Sequence, residues 1–344
     1  MICVLVLALV DDGCYSSSGE GRDVPTDSAY DLDQDDCEQS CEPWAECGDD
    51  GCGGSCGTCL ADEACGTARV CVPAPCAPAI LIPAGIFLMG SDSLLPPAPP
   101  RWSPMHRVSL SSYLIAPCEV TNAEYGACVA AGACSPPYRT DSLTRMAYFG
   151  AAEYRHYPVI AVDWGQSDAY CRWVGGRLPS EAMWAKAARG GCELRGGPDC
   201  TLEDTVDWPW GSEEPTCDRA NTTVLVERDG GPARMPCVGD PMGPGDTDRV
   251  GARSDGASVY GVLDMTGNVR EWTSDWYTDG DDYRDLGADP EGVRVDPEGP
   301  DSGTAKIQRG SSFGGANPLW FRDFWPPVLY PESGGGFRCT WAGE

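Results

Sequence analysis

Four positions between residues 264 and 271 bring together oxygen atoms that could bind a cation. Asp264 and Glu271 carry carboxylates, and Gly267 and Val269 offer backbone carbonyls across a glycine turn. Oxygen ligands that recur every two or three residues can surround one Ca²⁺ ion. An ordinary turn with a paired carboxylate has the same pattern, so both interpretations stay open.

The chain's 20 cysteines indicate disulfide chemistry. So many thiols suit an oxidising compartment, and the sequence therefore predicts an extracytoplasmic protein: periplasmic, secreted or a cell-surface lipoprotein. Nine of the cysteines lie in residues 37–76, which hold hardly any aliphatic side chain and need covalent links to fold. A zinc site at Cys52, Cys56 and Cys59 is the alternative, but the segment has no histidine.

The sequence holds few residues that could support other kinds of catalysis. A Ser-His-Asp triad would have to use His106 or His156, the two histidines of the sequence, and His106 is interpreted as structural because it precedes a predicted strand. No phosphate-binding loop or dinucleotide fingerprint occurs. The net charge of −29 repels nucleic acid and anionic lipid, so we expect no nucleic-acid partner.

The N-terminal segment is expected to direct the protein out of the cytoplasm. Residues 1–14 contain an apolar run, Ile2 to Val10, of the length of a signal-peptide core. Cys14 is either the lipidated N-terminus of a lipoprotein or a stray cysteine, and a lipid anchor there is the one membrane contact that we expect. Residues 15–36 are polar and acidic, which predicts a disordered tether.

Two folded parts follow, a cysteine-rich disulfide module at 37–78 and a larger domain at 79–344. Strands are predicted over Ile80 to Met89 and Val108 to Val120, between Gly- and Pro-rich loops. Helices are predicted at the segments that follow helix-capping residues or end in glycine. These segments are Asn122 to Ala131, Ser167 to Val174 and Ser180 to Arg189. The pattern predicts an α+β domain with little regular secondary structure.

Nine short stretches of the larger domain occur in a characteristic order. They are Ile82 to Ser91, Glu119 to Tyr125, Pro158 to Trp164, Ala169 to Trp173, Gly176 to Ala182, Trp208 to Gly211, Gly261 to Trp272, Arg309 to Phe313 and Gly336 to Cys339. In this order they resemble the sulfatase-modifying-factor, or formylglycine-generating enzyme, family. The resemblance implies a fold related to C-type lectins, with long loops held by Ca²⁺ and disulfides.

The resemblance also implies site residues. Asp264, Gly267, Val269 and Glu271 match the family's second calcium site, and Asn221 with the Thr222 carbonyl matches half of the first. The remaining ligands of the first site fall between Gly239 and Asp248, where the alignment stays open.

The copper-binding cysteines of the family's enzymes fall on Gly315 and Trp320 in this chain. Copper is therefore not expected, because Cu(I) requires soft thiolate ligands. Two histidines are also too few for the three-histidine iron site of the related sulfoxide synthases.

The resemblance pairs Cys171 with Cys339. Cysteines that close short loops give three local pairs, and the odd cysteine of the domain, Cys118, is assigned to Cys76 of the module by parity. The three local pairs are Cys128 with Cys134, Cys192 with Cys200, and Cys217 with Cys237.

These features favour a non-catalytic binding or scaffold protein at the cell envelope, whose partner is an unidentified polymer or protein. A possible ligand groove is aromatic and comprises Trp320, Phe321, Arg322, Phe324 and Trp325, although a closed groove filled with tryptophan fits equally well. A formylglycine-generating oxidase, or another enzyme activity on this fold, is the alternative, because fold alone does not determine function.

Overall fold

A computed structural model of the chain describes most of the sequence from residue 41 onward. The described residues are 41–49, 54–92, 102, 104–195, 200–201, 205–228, 231–239, 244–277, 292–329 and 335–343. All of them belong to one compact unit. The predicted leader with Cys14, the predicted tether, and Cys37 and Cys52 lie outside the described residues. No helix in the described ranges is long and apolar enough to cross a membrane.

Three α-helices begin at side-chain caps. They are α1 (Asn122–Ala130), α2 (Trp164–Trp173) and α3 (Glu181–Arg189). Thr121 and Glu124 form the reciprocal capping box expected for α1, and Ser180 caps α3 as expected. Helix α2 begins three residues earlier than predicted, because Asp163 forms its own capping box with Gln166.

The β-structure consists of short strands. They are β1 (Glu63–Cys65), β2 (Cys71–Pro73), β3 (Ile80–Ile82), β4 (Gly85–Met89), β5 (His106–Leu110), β6 (Tyr113–Ile115), β7 (Thr223–Arg228), β8 (Gly231–Pro236), β9 (Arg270–Tyr277), β10 (Val293–Val295), β11 (Ala305–Arg309), β12 (Asp323–Trp325), β13 (Gly335–Gly336) and β14 (Thr340–Ala342). Long predicted strands are thus broken into pieces, Ile80 to Met89 into β3 and β4, and Val108 to Val120 into parts of β5 and β6.

The strands form small sheets. The order β12-β11-β9-β13 makes a four-stranded sheet, in which β13 runs parallel to β9. Two three-stranded sheets have the orders β10-β5-β4 and β14-β6-β3. In the second of these sheets, β14 pairs with β6, which lies much earlier in the chain. The pairs β1-β2 and β7-β8 are antiparallel hairpins. This mixed arrangement with few helices confirms the predicted α+β fold.

Helix α3 lies at the centre of the domain. Trp184 is fully buried, and Lys186 and Arg189 are buried too although both are charged. Their cationic groups donate to backbone carbonyls of the β3–β4 region, including Pro83 at 2.6 Å and Gly90 at 2.8 Å. These hydrogen bonds satisfy charged groups that would otherwise be costly to bury.

The cysteine-rich module packs against α1 and its neighbours. Val70 belongs to the same buried cluster as Tyr125, and the His156 imidazole lies 2.6 Å from a Glu63 carboxylate oxygen of β1. A disulfide joins Cys76 to Cys118, with their Cα atoms 5.2 Å apart.

Seven further disulfides join cysteines of the described residues. Three lie in the module, and four are the other pairs expected from the sequence. They are Cys41–Cys56, Cys47–Cys65, Cys59–Cys71, Cys128–Cys134, Cys171–Cys339, Cys192–Cys200 and Cys217–Cys237.

Candidate functional site

The loop after β11 carries the two positions at which copper ligands would be expected. Its fold is fixed by Arg309, whose guanidinium donates to the carbonyls of Leu319 and Phe321. Trp320 is buried, and its indole lies against Trp102 with ring centroids 4.8 Å apart. Gly315 closes a tight turn by donating its N–H to the Ser312 carbonyl at 3.1 Å. A large indole therefore stands where the second metal ligand would be.

In the aromatic segment from Trp320 to Trp325, Phe321, Phe324 and Trp325 are half-buried, and the open and the closed groove both stay predictions. Trp320 and Arg322 are both buried. Phe324 stacks on Tyr277 with ring centroids 3.9 Å apart, and Trp325 packs against the central core. The aromatic rings find partners within the domain, because a protein with such short strands needs large buried side chains to fill its interior.

A buried charge cluster lies beneath this segment. The Arg322 guanidinium donates to both carboxylate oxygens of Glu181, at 2.6 and 2.8 Å, and Arg309 lies 3.5 Å from the same carboxylate. Asp275 accepts a hydrogen bond of 2.7 Å from the Glu181 backbone N–H. Burial, followed by the nearby charge of Glu181, raises the pKa of Asp275 to about 7. The cluster holds the loop of β12 against helix α3.

Neither histidine has the surroundings of a general base. Burial lowers the pKa of His106 to about 4, and its Nδ1 lies 3.0 Å from the Pro104 carbonyl oxygen. Burial also lowers the pKa of His156, whose Nε2 is engaged with Glu63. Both rings thus make structural contacts, in agreement with the interpretation of His106.

The four positions of the second expected calcium site lie around β9 and the turn before it. Both carboxylate oxygens of Glu271 accept hydrogen bonds of 2.6 Å from Arg338, and one also accepts from the Trp184 indole at 2.8 Å. Asp264 accepts from the Gly251 N–H at 2.6 Å, and burial raises its pKa to about 6. A calcium ion at these residues would therefore have to compete with the Arg338 guanidinium for Glu271.

The first expected calcium site has different surroundings. Asn221 is 1% exposed, and its side-chain N–H groups donate to the Asp246 carbonyl and to Asn268. Its Oδ1 atom is buried and accepts no hydrogen bond from the described residues. The Thr222 carbonyl accepts from Cys237 N–H at 2.8 Å and keeps a second lone pair. An orphaned buried oxygen of this kind fits a bound cation or an ordered water.

Asp246 lies in the segment where further ligands of the first site were expected. It is fully buried, accepts from Ser142 and Thr144, and lies 3.2 Å from the Arg145 guanidinium. Its carboxylate therefore serves as an anchor for the loop around residue 145. The sequence did not reveal this role, since the partners lie about a hundred residues away along the chain.

A cleft of about 570 Å³ opens between the β5–β6 turn and the C-terminal strand. Arg177 and Glu298 form an ion pair of 2.6 Å at its rim, and both side chains are largely exposed. Asp296 accepts from Ser111 N–H and Oγ–H on the opposite wall, at 2.7 and 2.8 Å. Trp341 supplies part of the apolar lining. Sequence reasoning missed this cleft, although Arg177 lies in one of the conserved-looking stretches that carry the family resemblance.

A model of the sulfatase-modifying factor enzyme 1-like domain matches residues 68–342, and the chain belongs to this family. The match begins inside the cysteine-rich segment. A formylglycine-generating enzyme of Thermomonospora curvata is 32% identical over 46% of this chain and 45% of its own length. A hercynine oxygenase of Mycolicibacterium smegmatis is 30% identical over 57% of this chain and 45% of its own. The chain thus spans less than half the length of these two relatives.

The chain is also similar to a cattle protein and to two solved structures. The Bos taurus formylglycine-generating enzyme is 26% identical over 70% of this chain and 67% of its own length. The structure of PvdO from Pseudomonas aeruginosa superposes with a TM-score of 0.53, 23% identity, and coverage of 78% of this chain and 96% of PvdO. Treponema denticola variable protein 1 gives 0.53 at 21% identity, with coverage of 77% and 95%. These structures share the fold.

Proposed function

We propose that this protein is a non-catalytic, extracytoplasmic member of the family that binds a polymer or protein partner at the cell envelope. The observation that carries the proposal is the environment of Trp320. Its buried indole lies at a copper-ligand position and is held there by Trp102 and Asp207. A substrate thiol and a Cu(I) ion would have to displace this side chain from its packed position.

The cysteines support the same conclusion. Cu(I) needs thiolates, and every cysteine of the described residues is part of a disulfide. The two histidines cannot supply a three-histidine iron site. The side chains that the family's oxidative chemistry would use are thus engaged in stabilising the fold.

The cleft beside Arg177 is the surface that fits a ligand best. It combines the Arg177–Glu298 pair with the apolar faces of Trp341 and Met183, and it remains open to solvent. Charged groups at a rim and an indole at the wall suit the polar edges and apolar faces of a saccharide or peptide chain. An extracytoplasmic location follows from the abundance of disulfides.

A binding screen tests this proposal. The full chain is applied to glycan arrays and soluble peptidoglycan fragments, beside the variants Arg177→Ala and Glu298→Ala. We expect a ligand whose affinity falls about tenfold in these variants, equivalent to about 1.4 kcal/mol. The variant Arg139→Ala is the control, since Arg139 pairs with Asp141 on the surface and lies outside the cleft. Equal binding by all variants would contradict a role for the cleft.

An oxidase acting on a cysteine of a sulfatase is the second candidate, favoured by the names of the relatives. It predicts stoichiometric Cu(I) binding and oxidation of a cysteine-containing peptide in the presence of oxygen. Turnover by the wild-type chain would replace the binding proposal with this one.

A calcium ion at Asn221 belongs to the proposal as a structural component. The uncompensated Asn221 Oδ1 atom and the Thr222 carbonyl would hold it, and a hard cation suits such oxygen ligands. Its contribution would be to stabilise the loops of the domain.

A further inference from the structure

A second, smaller pocket lies between the cysteine-rich module and the larger domain; it shares Trp341 with the cleft, and Trp320 is not part of its lining. Its volume is about 160 Å³. The module contributes Gly66 and Cys76 to its lining, and the larger domain contributes Glu124 and Tyr170. For comparison, an engineered protein cavity of about 150 Å³ takes up benzene. The pocket is thus large enough for a ligand of about six non-hydrogen atoms.

One wall of the pocket carries the Glu124 carboxylate, and only one of its two oxygens accepts hydrogen bonds from the described residues. Oε2 of Glu124 accepts from the Thr121 N–H at 2.9 Å and from its hydroxyl at 2.8 Å, as the capping box requires. Oε1 accepts no hydrogen bond from the described residues, and it lies 3.2 Å from where a Cβ atom on Gly66 would be. Glu124 is 9% exposed, and burial raises the pKa of its carboxyl group. A positive ligand would remove this cost of burial.

Tyr170 supplies a second polar atom. Its side chain is 1% exposed, and its hydroxyl has no hydrogen-bond partner among the described residues. The ring stacks on Tyr125 and packs edge-on against Phe337, which fixes its direction. Burial and then the charge of Glu124 raise the pKa of the hydroxyl, so it stays protonated near the carboxylate. A buried hydroxyl without a partner is unusual and indicates a missing ligand or water.

The remaining lining determines the charge of that ligand. It consists of glycine, alanine, proline, valine and disulfide cysteine residues together with Thr67 and Trp341, and it includes no lysine, arginine or histidine. Glu119 also contributes to the lining, but its carboxylate oxygens accept from Asn268 and from the Val269 N–H. The pocket therefore offers one carboxylate oxygen without a hydrogen-bond donor, the hydroxyls of Tyr170 and Thr67, and otherwise mainly apolar walls.

We propose that this junction pocket binds a small aliphatic amine in its ammonium form. The ammonium group would donate to Glu124 Oε1 and to the Tyr170 hydroxyl oxygen, and a chain of four or so carbons would lie against the apolar walls. Such a ligand matches each feature of the pocket, because its charge offsets the buried carboxylate and its three N–H donors satisfy both acceptors.

Calorimetric titration with n-butylammonium chloride tests the proposal on the full, disulfide-bonded chain. We expect saturable binding and a rise in melting temperature, since a ligand that binds only the folded state stabilises it. Neutral 1-butanol has the same chain and should bind at least tenfold more weakly. Equal affinity for the two compounds would overturn the proposal, since the pocket would then not select a positive charge. No binding of n-butylammonium at tens of millimolar would also overturn it, since water alone would then fill the pocket.

Two substitutions that preserve folding give the second readout. Glu124→Gln keeps the capping box, because glutamine also serves at this helical position. Tyr170→Phe removes a hydroxyl that has no hydrogen-bond partner among the described residues, so it should leave the melting temperature without ligand unchanged or higher. Each should weaken n-butylammonium binding at least tenfold. Tyr125→Phe is the matched control, since its hydroxyl donates to the Ser135 carbonyl outside the pocket. Full affinity in both pocket variants would refute the assignment.

Discussion

The indole N–H of Trp320 donates a 2.9 Å hydrogen bond to a carboxylate oxygen of Asp207. The two residues lie 113 positions apart in the sequence, so the bond joins two loops that are distant along the chain. It also gives a buried polar group its partner, which explains why a tryptophan is stable at this position.

Restoring both cysteines tests how far the loop can return to copper binding. The double substitution Gly315→Cys with Trp320→Cys removes the indole and adds two thiols. We expect measurable Cu(I) affinity in a competition titration, but little turnover of a cysteine-containing peptide. Catalysis also needs supporting groups that orient the ligands, and here Asp207 and Arg309 hold the loop in its packed form.

The wild-type chain is the control for that experiment. Its described cysteines are all paired, so it should show no tight Cu(I) binding under non-reducing conditions. Tight binding by the wild type would mean that other thiols serve as ligands, and the interpretation of Trp320 would then be wrong.

Calcium removal should lower the melting temperature if Asn221 holds a cation. A ligand at a hundred times its dissociation constant stabilises the folded state by about 2.7 kcal/mol. Asn221→Ala should abolish the difference between scans with calcium and with chelator.

The second expected site gives a contrasting test. Glu271→Ala should destabilise the protein by roughly 3 to 5 kcal/mol with or without calcium, because it leaves Arg338 buried without its partner. Asp264→Ala is the milder variant of the same site. If either variant abolished the effect of chelator while Asn221→Ala did not, calcium would bind at the second site instead.

The sequence revealed the parts of the fold that depend on local signals. Capping residues such as Thr121 and Ser180 located two helices, because their hydrogen bonds reach only three residues along the chain. Cysteine parity identified Cys76 and Cys118 as candidates for one bond, since each folded segment held an odd number.

The long-range partners of charged and aromatic side chains could not be predicted from the sequence. Nothing near Glu271 indicates that Arg338 would neutralise it, and nothing near Arg322 indicates Glu181. The aromatic segment at 320–325 illustrates the consequence, because the same residues can line an open groove or fill a closed interior. Distant partners such as Tyr277, on which Phe324 stacks, cannot be identified from the segment itself.

The Cys76–Cys118 bridge should stabilise the junction between module and larger domain. It closes a loop of 42 residues, and on the chain-entropy model such a bridge contributes about 4 kcal/mol. The double variant Cys76→Ser with Cys118→Ser should therefore have a lower midpoint in denaturant. Cys128→Ser with Cys134→Ser is the control, since that bridge closes a loop of 6 residues and should contribute less. An equal loss in both variants would contradict the entropic account.

Asp275 should make the protein less stable as pH rises from about 4 to about 7. Its pKa is about 7 in the folded protein, above the ordinary value of 3.8, mainly because it is buried and secondly because Glu181 is nearby. Between these two values the unfolded chain releases a proton that the folded chain retains, so the free energy of unfolding falls as pH rises and levels off above about 7.

Asp275→Asn cannot ionise but keeps an oxygen that can accept from the Glu181 N–H. We expect the variant to match the wild type near pH 4 and to be more stable by a few kcal/mol near pH 7, as measured by denaturant titration across this range. Asp264, whose pKa is raised to about 6, contributes a slope of the same sign to both proteins. Asp141→Asn is the control, because the carboxylate of Asp141 is exposed and pairs with Arg139, which lowers its pKa. The difference between variant and wild type is the readout, because the pKa of His106, lowered by burial to about 4, makes the stability of both proteins rise over part of this range. A difference that stays constant between pH 4 and pH 7 would show that Asp275 is ionised in the folded protein.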